Sequence, residues 1–239
     1  MLFLIAVFVV GILSGATAAI AGFGIGSIMT PLLASQLGVS VAVAAVSIPH
    51  AIATAVRCWR LRRAISWPVV RSFGVLSAAG GLVGALLYTR VGSRSLEITL
   101  GVLLLATAVA ALSDWTRRWK PHGIVAQSLG FLSGLFGGMA GNQGGLRAAA
   151  LLTFSLTPAA FVATSTAVGL AIDAARMPIY VWRAGSVLQT LLAPIGVATA
   201  GVLIGTLFGE RLLFGLSPDR FRRVVGILIA ALGLWLILK

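Results

Sequence analysis

The chain has 239 residues, 59% of them hydrophobic and only 10% charged, with a mean hydropathy of +1.06. A soluble domain would carry about 25% charged residues, so a soluble enzyme is excluded. The net charge of +13 comes from 16 Arg and 2 Lys clustered between apolar stretches, the pattern that orients membrane helices, and no basic helix, aromatic platform or zinc motif is present to bind nucleic acid.

Eight hydrophobic units follow in chain order, at 2–36, 39–58, 68–89, 95–113, 123–156, 159–182, 187–209 and 221–238. A bilayer needs about 20 apolar residues as helix. Most units have that length and are joined by short turns such as Ser66-Trp67-Pro68, Val91-Gly92-Ser93 and Ser217-Pro218-Asp219. The first and fifth are much longer, and each holds a glycine cluster near its middle. The prediction is an all-α, polytopic integral membrane protein forming one transmembrane domain over 1–239. Met1 to Ala19 superficially resembles a signal peptide, but it lacks a positive n-region and has a counterpart at 121–138. It reads as mature structure. Cys58 is the single cysteine, so no internal disulfide forms, and no metal or cofactor site has its ligands.

The long units belong to an internal duplication. Gly11-Ile-Leu-Ser14-Gly15 returns 119 residues later as Gly130-Phe-Leu-Ser133-Gly134. At that offset Ala21-Gly22 matches Ala140-Gly141, Gly26 matches Gly145, Leu32-Leu33 matches Leu151-Leu152, and Arg57 matches Arg176. The repeats are 1–118 and 119–239, with the boundary in the polar run Asp114–Gly123. If each long unit is a hairpin, the loops 57–71, 117–120 and 211–223 share one face with 5, 3 and 4 basic residues. The other face keeps Arg90, Arg94, Arg183 and Lys239. If each is a single crossing, the charge divides more evenly. The stronger bias predicts inverted halves with both termini outside.

The first cluster reads Ala21-Gly22-Phe23-Gly24-Ile25-Gly26-Ser27, and the second Ala140-Gly141-Asn142-Gln143-Gly144-Gly145-Leu146-Arg147. Each glycine costs a helix interior about 1 kcal/mol, so both clusters should unwind. Unwound backbone in a bilayer must be buried in protein or line a wet cavity. The half-helix that follows offers free N–H groups and a positive dipole end, which suits an anion. Gly22, Gly24, Gly26, Ser27, Gly141, Asn142, Gln143, Gly144 and Gly145 are therefore candidate substrate contacts. The pairs Gly11/Gly15, Gly130/Gly134, Gly80/Gly84 and Gly201/Gly205 read instead as close helix packing.

This combination of a Gly-rich broken first helix, Pro31-Leu32-Leu33 and a second helix, with Gly134-Leu-Phe-Gly-Gly138 and Ala163-Thr164-Ser165 in the other half, resembles the sulfite exporter TauE/SafE family over essentially the whole chain. The resemblance implies a carrier in the bacterial inner membrane, with sulfur-containing anions such as sulfite or organosulfonates as the substrate class. In this chain Asn142-Gln143 stands in the second break and Ala150 lies opposite Pro31.

Ionisable groups inside spans are functional suspects. Asp173 and Arg176 share one helical face. They form an internal salt bridge, or Arg176 binds substrate while Asp173 tunes it or carries a proton. Arg57, beside Arg60, Arg62 and Arg63, reads as a topology charge. Arg147, in the first turn after the second break, contacts an anion or snorkels to the surface. His50 is a packing residue or a proton carrier. Thr164, Ser165 and Thr166, with Ser47 opposite Thr166 in the repeat, bind an anion or their own backbone.

The expected function is a secondary carrier for a small, sulfur-containing anion, not an enzyme. A carboxylate carrier is the alternative. An intramembrane hydrolase lacks a second mid-span acid or histidine, and a non-transporting subunit would not need polar groups converging on two breaks. The expected partners are a small anion and the lipid bilayer, without nucleic acid, and a homodimer is left open.

Overall fold

Glycine decides where the long apolar stretches stop being helix. In the computed structural model, residues 1–22, 24–112, 123–141, 144–151, 154, 156–212, 223, 227, 230–231, 233–235 and 237–238 are described. The first stretch divides into α1 (Leu2–Ala21) and α2 (Ile25–Leu37). Gly22 closes α1 at φ 76, its N–H on the Ala18 carbonyl at 3.0 Å, and Gly24 opens α2 at φ 136. The fifth stretch divides the same way, into α6 (Gly123–Ala140) and α7 (Gly144–Leu151), with Gly141 at φ 74. A left-handed residue with a Cβ costs roughly 1–2 kcal/mol, so glycine is the residue that ends a helix this way.

The remaining helices are α3 (Val39–Leu61), α4 (Trp67–Leu87), α5 (Ser93–Leu112), α8 (Pro158–Thr190) and α9 (Leu192–Leu212). No strand occurs among the described residues. Gly38 alone joins α2 to α3, at φ 75. The boundary expected at 183–186 is not there, because α8 runs on to Thr190. Arg183 does not break the helix, since its side chain is exposed, donates to Thr89 Oγ1 at 3.2 Å and stacks on Trp182. The chain turns at Leu191 because Pro194 lacks an N–H and its ring would meet the carbonyl of Thr190. Most of the run between the two expected repeats, with residues 117–120 and 213–222 of the loops that carry the orienting charge, lies outside the described residues.

Among the described residues, six helices are long and apolar enough to cross a membrane: Leu2–Ile20, Val39–Ala64, Trp67–Leu87, Gly123–Ala140, Ala159–Thr190 and Leu192–Gly209. In α1, Ile5, Val9, Leu13 and Ile20 are exposed, while Gly11, Ser14, Gly15 and Ala18 are buried. The exposed stripe is what lipid would wet.

The buried stripe meets α9 backbone to backbone. A Cβ on Gly15 would strike the Val202 carbonyl, and one on Gly205 the Ile12 carbonyl. A matching seam joins α4 to α6, where Gly80, Gly84 and Gly134 abut the carbonyls of Phe131, Leu135 and Ser77. Without a hydrophobic drive between helices in lipid, such close approach is what holds them. The helices α3 and α8 pack on each other, with α9 against α3 and α4 against α8.

The seams predict a clear contrast. Gly134→Ala should lower the thermal stability of the detergent-purified protein by about 1–3 kcal/mol through overpacking. Gly196→Ala, with nothing within 4 Å of its Cβ position, should leave it unchanged or raise it by up to about 1 kcal/mol. An unchanged melting temperature for Gly134→Ala would mean that α4 and α6 do not meet this closely.

Candidate functional site

The two breaks touch. Gly26, in the first turn of α2, lies so close to the carbonyl oxygen of Gly141 that a Cβ there would overlap it. Gly141 in turn sits against Thr30, whose Oγ1 would lie 2.9 Å from a Cβ at that position. Gly22 faces Ser165 and Val162 of α8. Residues 24–31 are all buried, including Ser27 and Thr30. The Thr30 hydroxyl is completely buried and has no hydrogen-bond partner.

Each helix that ends at a break has one or two carbonyls at that end held by side chains. A helix leaves its last carbonyls unpaired and carries partial negative charge at that end. At the first break, the Gly22 carbonyl accepts from Arg147 Nη2 at 3.4 Å and from Ser165 Oγ at 3.3 Å. Arg147 Nε also donates to Ser165 Oγ at 3.0 Å. At the second break, the Gly137 carbonyl accepts from the Gly141 N–H at 3.1 Å and from Arg176 Nη1 at 2.5 Å. The Gly138 carbonyl accepts from Tyr180 Oη at 2.5 Å. The single long helix α8 thus serves both breaks, through Ser165 at one and Arg176 with Tyr180 at the other.

Asp173 lies at the centre of a charged trio. Its Oδ1 accepts from Arg176 Nε at 3.0 Å and lies 2.8 Å from Nη2. Its Oδ2 lies 2.6 Å from His50 Nδ1, which brings α3 onto α8. All three side chains are buried. Ser47, one turn before His50, is held between the same helices by the Ala44 carbonyl at 2.6 Å and Met177 Sδ at 3.0 Å.

Two turns beyond His50 on α3 stands Arg57. It is not a loop charge: α3 continues to Leu61, and Arg57 is 5% exposed. Its Nε donates to Thr166 Oγ1 at 2.9 Å, while its Nη1 is buried and has no partner.

The predicted residues therefore separate. Gly22, Gly24, Gly26, Ser27, Gly141, Gly144 and Gly145 lie at the breaks or in the first turns after them, whereas Asn142 and Gln143 lie outside the described residues. Arg147 is 1% exposed, so it does not snorkel. Of the hydroxyl run only Ser165 meets a break. Thr164 Oγ1 accepts from the Ser66 N–H at 2.9 Å, and Thr166 is engaged by Arg57. Successive helical residues point about 100° apart, so three in a row cannot share one site. Arg176 is committed to Asp173 and the end of α6. Thr30, Tyr180 and the burial of Arg57 were missed by sequence reasoning. Arg57 alone carried a usable signal, its alignment with Arg176.

Long apolar helices, two glycine breaks in contact and buried polar side chains closing them define a multi-pass helical membrane protein with an irregular, protein-enclosed centre. The chain belongs to the sulfite exporter TauE/SafE family, which matches residues 7–236, nearly its whole length. By family it is a membrane transporter. No curated protein and no solved structure matches it.

Proposed function

We propose that the chain is a secondary carrier for a small oxyanion of the sulfite or organosulfonate class in the bacterial inner membrane, and that the anion binds where the two breaks meet. The observation that carries this reading is the imbalance of buried charge. At the breaks Arg147 and Arg176 are 1% and 2% exposed, and Asp173 is the one buried acid among the described residues. Asp173 is already shared by Arg176 and His50. Cations in excess in a low-dielectric interior are costly unless an anion joins them. The Thr30 hydroxyl and the first-turn amides of α2 and α7 add neutral donors at the same place. A sulfur oxyanion, with several acceptor oxygens, suits donors that converge from different helices.

In this reading the anion's entry relieves the repulsion among the arginines, and movement of the half-helices around it exposes the site to either side. The His50–Asp173 pair, bridging α3 and α8, is the proposed point of proton coupling.

Arg147→Gln should fold and weaken sulfite binding by about a hundredfold, the usual scale for losing one partner of a buried charge contact. Isothermal titration of the purified protein, paired with flux in proteoliposomes, measures both effects. Wild-type binding and flux would remove Arg147 from the site. Thermal shifts across sulfite, sulfate, thiosulfate, sulfonates and carboxylates rank the substrate class. A ligand at one hundred times its Kd adds about 2.7 kcal/mol of stability.

A further inference from the structure

A cavity of about 190 Å³ lies between α1, α3 and α9, lined by Ala19, Arg57, Arg60, Leu61, Thr206 and Leu207. It is distinct from the point where Gly26 meets Gly141, and Arg57 forms its inner end. Two buried polar atoms here have no partner, Arg57 Nη1 and Thr206 Oγ1. Most buried polar groups are satisfied, so two orphans on residues that line one cavity require a reason.

The Thr206 orphan is a local exception. A threonine inside a helix ordinarily donates to the carbonyl four residues back, and Thr199 in the same helix does so, to Ile195 at 2.7 Å. For Thr206 that carbonyl belongs to Val202, and it is the one pressed against Gly15 of α1. The close seam between α1 and α9 thus coincides with an unpaired hydroxyl on a residue that lines the cavity. Arg57 is held by its Nε on Thr166, which leaves Nη1 on the other edge of the guanidinium. Arg60 and Leu207 are exposed and form the mouth. Among the described residues the lining holds two arginines and no acid. A cavity of this volume holds several waters, enough for a small oxyanion with part of its hydration shell.

We propose that this cavity is a second oxyanion site, bound by Arg57 Nη1 and Thr206 Oγ1 at its inner end and by Arg60 at its mouth. Arg62 and Arg63, just beyond the mouth, raise the local anion concentration. The identity of the anion as cargo, loaded here before it reaches the breaks, rests on the proposed function; the site itself does not. The same chemistry is available from a free anion in solution or from the phosphate of an anionic lipid, and the test separates the two.

Sulfite titration into the full chain in nanodiscs of phosphatidylcholine alone should show two sites. Thr206→Val, which keeps the side-chain shape, should weaken one of them about tenfold, the loss of one hydrogen bond to a charged group. Thr206→Ser should restore it, and Arg57→Gln should abolish it. Arg147→Gln should affect only the other site. Melting temperatures of all variants report folding independently of binding. If Thr206→Val and Arg57→Gln both bind sulfite with wild-type stoichiometry and affinity, the cavity proposal is overturned. If Arg147→Gln binds normally while Thr206→Val does not, the cavity stands and the central site fails. A lipid source is shown by native mass spectrometry if wild type retains phosphatidylglycerol, Thr206→Val releases it, and sulfite does not bind in phosphatidylcholine. The site then holds a headgroup, and loading of free anion is overturned.

Discussion

Asp173→Asn should destabilise the folded protein by about 3–5 kcal/mol, the cost of breaking a buried ion pair from one side. The carboxylate is completely buried and uses both oxygens, one for Arg176 and one for His50. An asparagine has one acceptor oxygen and turns an NH₂ toward a donor. Arg176 would keep its charge and lose the partner that offsets its burial. The damage extends further, because Arg176 Nη1 also holds the Gly137 carbonyl at the end of α6. An arginine freed from Asp173 would no longer be aimed there. Arg176→Gln alone leaves a buried carboxylate facing only His50 and should be as harmful. The double variant Asp173→Asn/Arg176→Gln removes both charges and should be more stable than either single variant. Equilibrium unfolding in detergent gives the cycle. Additive losses would mean that the two residues do not act as a pair. A stable double variant that binds anion but no longer transports would point to Asp173 and His50 in coupling.

How much of this was legible in the sequence depends on whether the information is local. The spacing of Asp173 and Arg176 is local, and the pair formed. The glycine density at 22–26 and 141–145 is local, and both helices end there in left-handed turns. The contact of His50 with Asp173 spans 123 residues, and it exists only because α3 crosses α8. Arg57 was misread for a related reason. Beside Arg60, Arg62 and Arg63 it looks like the start of a loop, but the end of α3 is covered by α9, and the side chain is buried there. Arg147 was legible as a first-turn residue but not in its target, since the Gly22 carbonyl comes from the opposite break. The hydroxyls at 164–166 form a run in sequence and three separate directions on a helix. Thr30 gave no signal, as a threonine in an apolar helix normally bonds its own backbone.

Gly26→Ala should lower transport by about a hundredfold while leaving a folded protein, the scale expected when a site is displaced by about 1 Å. Gly26 has ordinary helical backbone, in contrast to Gly22 and Gly24 with their positive φ. Alanine is the better helix former at such a position by about 1 kcal/mol, so backbone conformation cannot account for a loss. The added methyl would overlap the Gly141 carbonyl. That carbonyl belongs to backbone fixed by Arg176 and Tyr180 at the end of α6, so α2 must move instead. Moving α2 carries Ser27 and Thr30 away from the second break, and the donors that converge on the proposed anion separate. Gly22→Ala provides the contrast. Its Cβ would sit 3.4 Å from Ser165, an ordinary contact, and its φ of 76 carries the strain, so its effect should fall on stability, at about 1–2 kcal/mol. Flux per folded molecule in proteoliposomes, normalised by a folding assay, separates the two effects. If Gly26→Ala carries sulfite at the wild-type rate, the breaks do not need to touch, and the substrate site lies elsewhere in the chain.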